Sequence, residues 1–64
     1  MDGTVAEFDE PSGIGLIVTA DDQRFLFQCI EIADGTRDID VGQAVSFRPL
    51  PRFGAFQAGA IDKR

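Results

Sequence analysis

The sequence predicts a small all-β domain in which five short antiparallel strands close into a Greek-key barrel. Short runs rich in Val, Ile, Thr and Phe alternate with clusters of Gly, Pro and Asp, as strands alternate with turns. No stretch has the spacing and length of a crossover helix, so neighbouring strands must run antiparallel. A five-stranded set of this size hides its edges best by closing on itself, which is the OB-fold architecture.

Residues 3–8 favour the first strand through Thr4, Val5 and Phe8, and Pro11 sits in the turn that follows, fixing φ and removing a donor. Residues 13–19 form the second strand. In Gly13-Ile14-Gly15-Leu16-Ile17-Val18 the glycines leave one face bare, while Ile14, Leu16 and Val18 project from the other. Glycine weakens a strand interior, so the pair implies a bulge, a barrel bend or close approach of another group. A dinucleotide fingerprint is excluded, since Val18 stands where its third glycine belongs and no helix follows. Residues 20–23 allow only a hairpin. In the third strand, residues 24–30, Phe25, Phe27 and Cys29 share the face expected to be buried, and Leu26, Gln28 and Ile30 the other. Residues 32–41 read as an irregular loop with one helical turn, anchored by Ile39. Residues 43–48 alternate Val45 and Phe47 against Ala44, Ser46 and Arg48. That strand is expected to end at Pro49, residues 49–54 to form a proline-stiffened loop, and residues 55–61 to close the barrel. The expected core is Val5, Ile17, Phe25, Phe27, Val45, Phe47 and Ile61, with Phe56 also assigned inward because exposing a large ring is costly in so small a domain.

Sixty-four residues make one domain, 1–64, stable by only ~3–5 kcal/mol unless something staples it. A single cysteine, Cys29, excludes an internal disulfide, and the absence of histidine leaves a zinc site short of ligands. No run approaches the ~18 apolar residues of a membrane span. The expectation is a soluble, unsecreted, cytoplasmic protein without a cofactor or metal. The net charge is −5, with −8 carried by residues 1–40 and +3 by residues 41–64. An acidic chain is the wrong sign for a polyanion partner, although local patches matter more than the total.

Catalysis finds little support. With no histidine, a serine or cysteine nucleophile lacks its usual base, and Cys29 has no obvious activator. The carboxylates of Asp38-Ile39-Asp40 lie in a loop and, with Asp34, do not make a calcium-loop pattern. The domain is too small for a substrate cleft. Neither an enzyme nor a small-molecule substrate is expected.

Read together, Gly3-Thr4-Val5, Phe8-Asp9, Gly13-Ile14-Gly15-Leu16-Ile17, Phe25-Leu26-Phe27-Gln28, Ile32 and Gly42-Gln43-Ala44-Val45-Ser46-Phe47 resemble the bacterial cold-shock proteins and cold-shock domains nearly end to end. The resemblance implies the OB barrel again. It also implies binding of single-stranded RNA or DNA across strands one to three, with bases stacked on exposed aromatics. The family's glycines and its G-Q-x-V-x-F run are kept, but most stacking rings are not. Its exposed tryptophan is Glu7 here and the lysine before it is Ala6, whereas the following phenylalanine is retained as Phe8. In K-G-F-G-F the lysine becomes Ser12 and the phenylalanines Ile14 and Leu16. In V-F-V-H-F the valines become Phe25 and Phe27, the exposed phenylalanine and histidine Leu26 and Gln28, and the last phenylalanine Cys29.

Aliphatic replacements keep apolar area while losing the π-face. Three readings of this face compete. Alternation alone lets Ile14, Leu16 and Val18 be a core stripe turned inward; alternatively the face is a weakened nucleic-acid platform, or it is a protein-binding or self-association surface with an acidic rim. Substitute cations lie in the tail, where Arg48, Arg52, Lys63 and Arg64 surround Phe53, the better stacking candidate of the two tail rings. The expected nucleic-acid-binding residues are therefore Phe8, Ile14, Leu16, Leu26, Gln28, Arg52 and Phe53, the expected partner is single-stranded RNA or DNA bound weakly, and a protein partner is the alternative.

Overall fold

Alternation along each strand decides which side chains enter the barrel. The computed structural model describes residues 1–36, 38–52 and 55–64. Strands β1 (Asp2–Asp9), β2 (Ile14–Val18), β3 (Arg24–Gln28), β4 (Ala44–Arg52) and β5 (Ala55–Lys63) close in the order β1-β2-β3-β5-β4, with β4 returning to β1. Four contacts are antiparallel. The fifth, β3 against β5, is parallel and carries the single pair Leu26–Gln57. The wholly antiparallel sheet expected from the sequence fails at this seam for a topological reason: a closed ring with an odd number of strands cannot alternate direction all the way round.

All seven expected core residues, Val5, Ile17, Phe25, Phe27, Val45, Phe47 and Ile61, are buried, and Ile32, Ile39 and Ala58 join them. Phe25 and Phe47 meet tilted, with ring centroids 5.0 Å apart. The bare glycine face of β2 is the inner one. A methyl group on Gly15 would overlap the Phe27 ring and lie 2.8 Å from the Glu7 carbonyl oxygen, so the absent side chain is the space into which Phe27 packs. The inward reading of Ile14 and Leu16 is thereby corrected, because Gly15 and Ile17 already occupy that side.

The proline-rich stretch is strand, not loop. Pro49 pairs with Ala58, Pro51 with Phe56 and Arg52 with Ala55. Phe47 donates its N–H to the Met1 carbonyl, 2.7 Å, on the β1 side of β4, and positions 49 and 51 turn their nitrogens to that same side. The paired part of β1 reaches only Ser46, so the prolines lack donors where no ladder needs them.

The third strand stops at Gln28, and a short 3₁₀ turn, Cys29–Glu31, precedes the loop rather than lying within it. This turn swings Ile32 inward onto a parallel bridge with Ile61, and Ala33 donates to the Ile61 carbonyl, 2.7 Å. Opposite Phe47, β5 carries an extra residue: the register steps from Ser46–Asp62 to Arg48–Gly59, and Ala60 takes a φ of +50°. The Glu31 carboxylate accepts the Ala60 N–H, 3.2 Å. In the following loop Asp34 accepts from the Thr36 backbone N–H at 3.0 Å and pairs with Lys63 at 3.0 Å. No helix among the described residues is long and apolar enough to cross a membrane.

Candidate nucleic-acid interface

The register of β1, β2 and β3 sets outward side chains into rows across the strands. Asp9, Ile14 and Gln28 form one row, Glu7, Leu16 and Leu26 the next, and Thr4, Val18 and Arg24 a third. Ala6 is the extra residue of the β1 bulge, and it sets Glu7 rather than Ala6 itself opposite Leu16. Ile14 is 47% and Leu26 52% exposed, Leu16 is half-buried and Gln28 exposed. Glu7, Phe8, Asp9, Ile14, Gly15, Leu16 and Leu26 line an open depression of about 390 Å³. Four of the sequence-predicted residues, Phe8, Ile14, Leu16 and Leu26, thus meet at one surface, and Gln28 lies beside Ile14.

Phe8 contributes less ring than its identity suggests. It is half-buried and stacks on Phe27, centroids 5.9 Å apart and planes within 4°, so one π-face is already used. Arg52 is the last residue of β4, separated from Leu26 by the intervening β5, and Phe53 lies outside the described residues. Phe56, assigned to the core, is instead 60% exposed. Extension of β4 through the prolines carries its partner β5 past the barrel's rim, so Phe56 has inward parity but no interior to enter. Sequence reasoning missed it for want of the proline argument, which requires knowing which edge of β4 is unpaired.

Charge on the face is one-sided. Glu7 and Asp9 border the depression, and Arg24 sits at the opposite corner of the rows. The tail cations are partly engaged elsewhere, Lys63 with Asp34 and Arg64 with Asp2 at 2.8 Å. Arg24 and Arg48, both exposed, make no ion pair among the described residues.

A five-stranded barrel with this strand order and an outward-facing β1–β3 sheet defines a class, the cold-shock-type OB fold. Comparison with solved structures agrees. The chain superposes on a Drosophila Unr chain, described as its cold-shock domains 4, 5 and 6, with a TM-score of 0.81 and 30% identity over 98% of this chain. It spans 26% of that chain's length. No family model and no curated protein matches. The protein is a divergent cold-shock-type domain by fold.

Proposed function

We propose that this domain binds single-stranded RNA or DNA across the outer face of β1, β2 and β3, and that its affinity is low. The observation that supports the reading is the outward row Leu16–Leu26, flanked by Ile14 and Gln28, over an open depression on a barrel of cold-shock type. Aliphatic side chains offer van der Waals area to a base but no ring, which removes much of the ~1–3 kcal/mol that each stacked base contributes. Glu7 and Asp9 on the same border oppose phosphates, so contacts on this face run to bases rather than backbone. No catalytic role is proposed.

Titration with a short labelled pyrimidine oligonucleotide at several salt concentrations tests the reading. The log–log slope of affinity against salt should be shallow, about −1 to −2, at roughly −0.7 for each phosphate neutralised. Leu16→Phe should raise affinity without altering the slope, because stacking releases no counterions. Arg24→Gln, which removes the cation in the third row of this face, should flatten the slope. The acidic border favours a second reading, a protein-binding face. Absence of binding at low salt, with self-association abolished by Leu16→Gln, would assign the face to that use.

A further inference from the structure

The middle row of the β1–β3 face runs on into β5. Leu26 pairs with Gln57, so outward side chains stand in the order Glu7, Leu16, Leu26, Gln57. Two apolar side chains on adjacent strands are thus bracketed by a carboxylate and an amide. In the neighbouring row a single apolar side chain, Ile14, stands between Asp9 and Gln28. Neighbouring strands lie about 4.8 Å apart, so the Glu7 row holds the wider apolar floor for a base. A base lying over Leu16 and Leu26 brings one edge to Glu7, whose Cβ stands roughly 5 Å from that of its cross-strand partner Leu16.

The two brackets differ in what they can select. A glutamine amide carries both donors and an acceptor and turns to suit any base, so Gln57 selects none. An ionised carboxylate only accepts, through two oxygens side by side. Glu7 is exposed, borders the depression and makes no ion pair among the described residues. Bases of a single strand present their Watson–Crick edges for readout. Guanine alone sets two donors next to each other on that edge, N1–H and the N2 amino group, and one carboxylate accepts from both in a charge-assisted, bidentate pair. Cytosine and adenine offer one amino donor beside a ring-nitrogen acceptor. Uracil and thymine offer N3–H between two carbonyl oxygens, which repel a carboxylate.

We propose that Glu7 is the specificity-determining residue of this face and that it selects guanine, which lies on Leu16 and Leu26 with N1–H and the N2 amino group donating to the Glu7 carboxylate. The inference rests on the nucleic-acid reading of the domain and gives a use to a charge that otherwise only repels. Repulsion between Glu7 and phosphates weakens every sequence alike, whereas the pair with guanine favours one base. The residue that lowers affinity therefore also sets preference.

The test compares a uridine strand of about ten nucleotides, within the range that one OB fold accommodates, with the same strand carrying one central guanosine. The parent should bind the guanosine strand about tenfold more tightly, within the span of a bidentate base contact. Glu7→Gln should bring the two affinities to within about twofold, because an amide both donates and accepts. Asp9→Asn, which removes an equal charge from the same border, should raise both affinities and keep their ratio. Inosine, which lacks the N2 amino group, should lose most of the preference, and 7-deazaguanosine, which keeps both donors, should retain it. Equal binding of the two strands by the parent, a preference that survives Glu7→Gln, or one lost with 7-deazaguanosine rather than inosine would overturn the role of Glu7 and leave the nucleic-acid reading standing. No binding of either strand by the parent at low salt would overturn both.

Discussion

At the scale of single residues, Gly15 and Asp34 show how much one position can hold. Gly15 is required by what stands opposite it. Because the Phe27 ring occupies the place of a Cβ and is itself buried on every side, Gly15→Ala must displace a core aromatic, an overpacking cost of ~1–3 kcal/mol or more against a total of ~3–5 kcal/mol. Chemical denaturation should show most of the stability gone, and a parent-like midpoint would refute the packing. Asp34 is an electrostatic case. The Thr36 backbone N–H, then the Thr36 hydroxyl and Lys63, all stabilise its ionised form and lower its pKa from 3.8 to about 2. A depressed carboxylate pKa stabilises the fold above the unfolded value and loses that contribution as pH falls through the folded one. The Asp34 carboxyl resonance should therefore titrate with a midpoint near 2, and Thr36→Val should raise it. A midpoint at the ordinary aspartate value in the parent would exclude the contact. The sequence places these residues but not their partners: a glycine pair announces a close approach without naming the ring, and nothing local ties Asp34 to Lys63.

At the scale of elements, the strands follow from alternation and the exceptions follow from pairing. Phe25, Phe27, Val45 and Phe47 were readable as inward because each sits in a clean period of two. The extension of β4 through Pro49 and Pro51 was not, since proline argues against a strand unless its nitrogen faces an empty edge, and that edge exists only once β1 is known to stop short. The bulge in β5 likewise depends on the opposing register. It leaves Ala60 in left-handed backbone, where a Cβ is strained and glycine is not. Ala60→Gly should accordingly raise stability by roughly 0.5–1 kcal/mol, or several degrees in Tm for a domain of this size. A lower Tm would show that the bulge tolerates alanine without strain. On the outer face the expectation is opposite in kind. Leu16 is half-buried above the sheet, so Leu16→Gln should cost no more than about 1 kcal/mol, and a loss of several would return Leu16 to the core.

At the scale of the whole molecule, the core leaves little in reserve. Phe27→Ala, which removes a fully buried ring, costs ~3–5 kcal/mol and should abolish the cooperative thermal transition; a melt near the parent's Tm would refute the core assignment. Fold class was legible because five alternating segments with short connections leave few closed arrangements. The face was legible in part, through Ile14, Leu16 and Leu26 on the side opposite the glycines. Phe56 was not, because its exposure is a property of the rim and no strand period reports it. The parallel seam has a further consequence. With one backbone pair between β3 and β5 and only the Ile32–Ile61 bridge beyond it among the described residues, the barrel has a preferred line along which to unzip. Opening there leaves the sheet ordered β3-β2-β1-β4-β5, every other ladder intact and two unpaired edges exposed to solvent. Amide exchange should be fastest along those two edges, and concentrated solutions held near the melting temperature should form swapped dimers in which one molecule's β5 closes its neighbour's β3.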